Sequence, residues 1–396
     1  MNRTLHKLLV ADVIVRLIGV TGFTIFLGAV YNRTGHASDI GWVSLATALP
    51  SLLALTNANA CVRRFSAIGV LRGVAILRVL AFGLLICLPA TLSLIMVAAG
   101  LHSLSHQIAV TSKMTLDAQV LTDAHRRRYL VRKAMLNNIS NICAPACGGL
   151  LVGFLGYKAA LVGLIGANAF LALIVLTVPA PTSVEVGTKP VLAGFGAALR
   201  ELLRTREVAA VVGVYCAMAA VFEIQSPLVF PFVHEVYGGG SAVAGTLLGL
   251  GGLGGLLGAL AAEKWANRFS ASSIPVLLLL DGLLFFSFTQ TTHLPVACVM
   301  FVFLGVMGCI TLIVVESVVQ TRAHPDNHPF IFSMMQFSGG AGGASLGVAA
   351  ARLAEKYTTS SVLSAAALLE IVVGGLCLVL LGGALRVAST ARRVED

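Results

Sequence analysis

Twelve runs of predominantly apolar residues dominate this chain, at 9–31, 40–60, 70–88, 93–112, 135–156, 158–179, 207–232, 242–262, 273–291, 295–319, 329–351 and 361–385. A bilayer core about 30 Å thick takes about 20 residues of helix, so each run is long enough to cross. Barrel strands are shorter and alternate apolar with polar residues, which these runs do not. Helices satisfy their backbone polar groups internally, as a lipid-facing segment must. Composition agrees: 57% of residues are hydrophobic and 11% are charged, against about 25% charged in soluble domains. Apolar residues exceed what one water-soluble core needs. Pro89, Gly156, and His293 with Pro295 mark tight turns between neighbouring runs.

The distribution of Lys and Arg sets a direction. With the N-terminus on the cytoplasmic side, twenty of the 27 basic residues fall in cytoplasmic connections. Four (Arg33, Lys158, Arg352 and Lys356) fall outside, and Arg16, Arg72 and Arg78 lie in or at the edge of spans. Both termini are therefore expected in the cytoplasm, which requires an even number of spans. Tyr31, Trp42, Tyr157, Tyr237 and Tyr357 fall at outer ends, as an interfacial aromatic belt does. The first run contains Asp12 and Arg16 and no small-residue cleavage site follows it, so it reads as a span rather than a cleaved signal. The net charge of +10 is spread between apolar runs instead of over one polar face, which argues against nucleic acid as a partner. The eight cysteines lie in or beside apolar runs with no C-x-x-C pair, and behave as small hydrophobes.

The polar stretch 181–206 divides the chain into a first half, 1–180, and a second, 207–396, each with six runs. Arg64-Phe65-Ser66-Ala67 follows the second run, and Arg268-Phe269-Ser270-Ala271 follows the eighth, 204 positions later. The two tetrapeptides hold equivalent topological places, which points to a parallel duplication.

On these features the chain resembles the major facilitator superfamily over nearly its whole length, and more narrowly its drug- and siderophore-exporter-like branch. Asn57-Ala58-Asn59-Ala60-Cys61-Val62-Arg63-Arg64 stands where the family has a loop with acidic and basic residues. The arginines are kept, but Asn59 or Cys61 replaces the usual Asp. Ala144-Pro145-Ala146-Cys147-Gly148-Gly149 keeps all but the first Gly of the antiporter motif's Gly-Pro-x-x-Gly-Gly end. The Gly-rich eighth run is similar to its family counterpart, and Gln320, Pro325 and Asp326 match positions after the tenth. The resemblance implies an all-α integral membrane protein of twelve transmembrane helices in two pseudo-symmetric six-helix bundles. It also implies a monomer working by alternating access in a bacterial inner membrane. Arg63, Arg64, Arg268, Pro145, Gly148 and Gly149 are then expected to act in gating and conformational change. Pro145 removes a backbone donor and kinks its helix. The glycines let helices approach closely.

Charges inside the bilayer cost about 2.5–3.5 kcal/mol each at mid-helix, so each is a functional candidate. Glu223 lies near the middle of the seventh run, with Gln225, Ser226 and Pro227 beside it and Tyr215 two turns earlier. Burial is what lets a carboxyl group trade a proton near neutral pH, so Glu223 is the first candidate for proton coupling; the other reading is a carboxyl hydrogen-bonded inside the bundle. Asp12 and Arg16, one turn apart, are spaced to pair. Arg78, Asp281 and Glu370 are expected to face inward in structural roles. Glu316 is placed to meet substrate or a gating arginine. His102 and His106, one turn apart beside Ser103, Ser105 and Gln107, suit cavity hydrogen bonding, proton carriage or plain packing. A metal would need more ligands than these two.

No phosphate-binding G-x-x-x-x-G-K-[ST] loop occurs, so an ion gradient, with protons favoured, is the expected energy source and no cofactor is called for. The first expectation is proton-coupled export of a small amphiphilic molecule such as a siderophore or drug. Import on the same fold is the alternative. A membrane enzyme would need clustered polar catalysts at one face, and His324, Asp326 and His328 are the nearest approach.

Overall fold

The computed structural model describes residues 3–89, 91–120, 123–177, 206–264, 271–322, 331, 335 and 343–395. The chain folds into helices throughout these segments: α1 (Arg3–Thr34), α2 (Ala37–Phe65), α3 (Ala67–Cys87), α4 (Leu92–Val120), α5 (Asp123–Leu150), α6 (Gly156–Leu176), α7 (Arg206–Tyr237), α8 (Ser241–Lys264), α9 (Ile274–Gln290), α10 (Leu294–Arg322), α11 (Gly343–Lys356) and α12 (Thr359–Glu395). Among the described residues eight helical stretches are long and apolar enough to cross a bilayer, and Ile274–Gln290 is a shorter apolar helix. The stretch Ile142–Leu176 is continuous in hydropathy, but a π turn over Leu151–Leu155 and Gly156 at φ +78° divide it into two helices. That φ favours glycine because it has no Cβ to clash. Most of the expected eleventh run, and nearly all of the 181–206 connection, lie outside the described residues.

Apolar side chains face outward as well as inward. Phe154 is 77% exposed and Val379 71%, and many Leu and Phe side chains of the runs are likewise uncovered. A water-soluble protein does not leave so much apolar area open. Lipid covers it here, which makes the chain a multi-pass membrane protein.

Chain contacts form two compact units. The first comprises Met1–Thr188 with Val229–Gly252. Within it α1 packs on α2, α4, α5 and α6, while α3 packs on α4 and α6. Ile18, Ile25, Phe26, Val30, Phe82 and Leu85 are buried among these helices, and the Phe26 and Phe82 rings lie 6.2 Å apart. Tyr157 donates its hydroxyl to the Leu85 carbonyl at 2.7 Å and ties the start of α6 to the end of α3. The α2–α3 junction turns at Ser66, whose φ is +62°. The Ser66 hydroxyl accepts from the Gly69 amide at 3.2 Å and caps α3. This serine belongs to the first of the two repeated tetrapeptides.

The second unit comprises Lys189–Leu228 with Leu253–Asp396. Its core gathers Val208, Val211, Ile274, Leu278, Val315 and Met335. Helix α9 packs along α12 and against α10, and α11 packs on α12.

Several helices run further than their apolar runs, and in α4 and α5 the extension is polar. The runs end at 112 and resume at 135, but α4 continues to Val120 and α5 begins at Asp123. Hydropathy marks only what must sit in lipid. The polar turns beyond it stay helical because they carry the ionic cluster described next.

Candidate functional site

Three polar groups, each within one unit, hold the residues that hydropathy makes expensive. The first joins α1, α4 and α5. Asp12 meets Lys133 at 3.1 Å and Lys113 at 4.0 Å. Lys133 also reaches Asp117 at 2.9 Å. Lys113 pairs with Asp117 one turn away and donates to the Tyr129 hydroxyl at 3.0 Å. Tyr129 in turn donates to Asp117 at 2.8 Å. Lys113 and Tyr129 are each 1% exposed. The carboxylates thus face two lysines, and Arg16 stays within electrostatic range of Asp12. Asp12 meets cations from other helices as well as the Arg16 charge one turn along its own. Burial and the nearby Asp117 and Asp12 push the Tyr129 phenol's pKa up. Burial works against the Lys133 charge, but Asp117 and Asp12 together outweigh it and raise its pKa.

The second group joins α1, α3 and α4. Arg78 is 1% exposed and donates from Nε to the Ser105 hydroxyl at 2.8 Å. Among the described residues its Nη1 and Nη2 have no hydrogen-bond partner. His102 is buried, with Nε2 at 3.1 Å from the Gly19 carbonyl and its ring 5.5 Å from Phe82 and 5.7 Å from Phe26. A ring nitrogen facing a carbonyl carries the proton, which leaves Nδ1 as the lone-pair nitrogen. Neither His102 Nδ1 nor His106 Nδ1 has a hydrogen-bond partner among the described residues. Gly22 lets the backbone of α1 close on the His102 ring, where an added Cβ would lie 2.5 Å from Nε2. Gly19 does the same for His106.

The third group is in the second unit. Glu223 of α7 lays its side chain across Gly343 of α11, where an added Cβ would sit 2.5 Å from the glutamate Cγ. Gly347 keeps α11 equally close to the Glu223 carbonyl. The carboxyls of Glu316 on α10 and of Glu223 both act electrostatically on Tyr215 of α7. Glu223, Tyr215, Gln225 and Glu316 are all partly buried. Elsewhere in this unit Asp281 of α9 and Glu370 of α12 lie within hydrogen-bonding reach of each other.

The expected gating residues are placed unevenly. Gly148 and Gly149 are helix-contact glycines. A Cβ on Gly148 would meet the Thr21 carbonyl of α1 at 2.9 Å, and one on Gly149 would meet the Ser241 carbonyl at 2.5 Å and Gly245 Cα at 2.6 Å. Pro145 lies inside α5. One residue before it, the Ala144 carbonyl accepts from the Thr21 hydroxyl of α1 at 3.1 Å. Arg63 and Arg64 fall in α2 with side chains outside the described residues, and Arg268 lies outside them altogether. Sequence reasoning missed Lys113, Asp117, Tyr129 and Lys133 as a site. The signal was there, since Lys113–Asp117 and Tyr129–Lys133 are both i,i+4 pairs.

Long apolar helices, buried ionic groups and glycine-lined helix contacts define a polytopic membrane protein. The Major Facilitator Superfamily profile matches residues 13–348, and the chain belongs to that family. No curated protein matches the sequence. Among solved structures it is similar to a mutant form of the nucleoside transporter NupG, with TM-score 0.80, 13% identity, and coverage of 96% of this chain and 100% of that one. It is also similar to a bacterial homologue of the human lysosomal transporter Spinster in its inward-facing, occupied conformation. That match has TM-score 0.72, 16% identity, and coverage of 95% and 96%. At these identities the likeness speaks for the fold.

Proposed function

We propose that this transporter exports a small amphiphilic molecule, of the siderophore or drug kind, in exchange for protons by alternating access. Family membership supports secondary transport driven by a gradient. The observation that carries the coupling is Glu223. Its carboxyl is one of two on the second unit's Tyr215 group, and its side chain fits only because α11 presents glycine at 343. A carboxyl so enclosed has reason to exchange protons when its helices move. Asp12, Arg16, His102, His106, Gln225 and Glu316 are the further candidates for solute or proton contact. The kept Pro145-x-x-Gly148-Gly149 pattern favours export. The protein is proposed to work as a monomer in a bacterial inner membrane, with both termini cytoplasmic and with bundles 1–180 and 207–396 joined by 181–206.

The test is solute-driven proton movement in liposomes holding the purified chain, across a panel of siderophores and drugs. A compound that drives protons in wild type and not in Glu223→Gln supports both coupling and its carrier. Flux unchanged in the mutant moves coupling to another carboxyl, Asp12 first. Protons that move in the same direction as the solute overturn the exchange.

A further inference from the structure

We infer that Arg78 anchors a binding site for a small monovalent anion inside the first unit, between α3 and α4. A guanidinium has five N–H donors. Ser105 takes the one on Nε, and the terminal nitrogens take no partner among the described residues. The side chain is 1% exposed, so bulk water does not serve them. Among the described residues no carboxylate acts on Arg78, and burial is the influence on it. The nearby groups add no negative charge either. Arg78 acts electrostatically on both His102 and His106, and Arg16 acts on His106 as well. Of these cations, Arg16 has Asp12 within range. Arg78 has no such carboxylate among the described residues.

A buried charge persists when it is paired and hydrogen-bonded. The outward edge of a guanidinium presents parallel N–H groups, which suit a carboxylate's two oxygens and also hold a halide. The ligand chemistry is therefore a small monovalent anion. Two sources supply it: an inorganic halide bound as a structural ion, or the carboxylate of a solute. Ser105 fixes the fork, since its hydroxyl donates onward to the His102 carbonyl at 2.7 Å and so presents its lone pair to Nε.

The experiment uses the purified full-length chain in detergent, in sulfate buffer at constant ionic strength. Bromide and acetate are the probes, read by equilibrium dialysis and by thermal unfolding. Saturable bromide binding near one per chain, displaced by acetate, is the expected result. Acetate binding without bromide assigns the site to a solute carboxylate, and bromide without acetate to a structural halide; both support an anion site. In Arg78→Met, loss of a charge-assisted bidentate contact weakens binding by about tenfold or more. This variant is expected to fold, because an apolar chain of similar length replaces an unpaired charge. If it does not, Ser105→Ala is the second variant, with weaker binding at unchanged stoichiometry. Binding of neither probe to wild type overturns the proposal and leaves water as the occupant. Full binding in Arg78→Met overturns it equally.

Discussion

Five side chains, Asp12, Lys113, Asp117, Tyr129 and Lys133, form the ionic cluster of the first unit, and each depends on the others. Asp117 accepts from Lys113, Lys133 and Tyr129, so Asp117→Asn leaves two buried ammonium groups short of charge. Breaking a buried pair on one side costs about 3–5 kcal/mol, and a fall in thermal unfolding temperature well beyond that of Tyr129→Phe is the expected outcome. Tyr129→Phe removes hydrogen bonds alone and is expected to cost about 1 kcal/mol. The pH dependence that Lys133 and Tyr129 contribute has one sign. Lys133 has a pKa raised above its ordinary 10.5, so its contribution is complete below that value and is lost as pH climbs through the raised one. Tyr129, raised above 10.0, also binds its proton more tightly when folded, and its contribution also fades on the alkaline side. Thermal unfolding of wild type against the Tyr129→Phe/Lys133→Met pair should therefore show the difference between them shrink above about pH 10. A difference that grows with alkalinity would refute that assignment. In sequence these residues sit between two apolar runs and read as a basic connection. Hydropathy averages over a turn and loses the i,i+4 pairing, and nothing in one chain's spacing says that Asp12, a hundred positions earlier, completes the cluster. Glu223 and the two histidines were legible because a polar residue inside an apolar run stands out by cost alone.

Helix contacts in this chain are set by glycine at the backbone level. Around Gly149 the carbonyl of Ser241 and the Cα of Gly245 stand where a side chain would start. Gly149→Val therefore has to push α5 and α8 apart, while Gly255, with nothing within 4 Å of its Cβ position, gives Gly255→Val room. Transport in liposomes is expected to fall at least about tenfold in the first and stay near wild type in the second, with both inserted and monodisperse in detergent; overpacking of about 1–3 kcal/mol is enough for such a loss. Equal activity in the two variants would mean that close approach at Gly149 is unimportant to the cycle. The helices themselves were visible as apolar runs, since lipid leaves a chain few other options. Their ends were less so. Apolar length reports bilayer thickness, whereas α4 and α5 carry on through polar turns held by side-chain pairs. The break at Gly156 was also legible, because a glycine between two apolar runs is the cheapest place for a positive φ.

At the scale of the whole molecule, the proposed orientation rests on the basic residues. Twenty of 27 Lys and Arg fall on one side if both termini face the cytoplasm, and short basic connections resist translocation. The connection at Gly35–His36 and the one at Thr291–His293 then face outward, and Arg322 at the end of α10 faces inward. In a cysteine-free background, His36→Cys and His293→Cys are expected to react with an impermeant maleimide in intact cells, and Arg322→Cys only after permeabilisation. These positions test parity as well as direction. Eight helices, α2–α9, separate His36 from His293, so one missing or extra crossing among them would put the two positions on opposite sides. Labelling of Arg322→Cys alone in intact cells would invert the orientation, and with it the side from which Glu223 would load its proton.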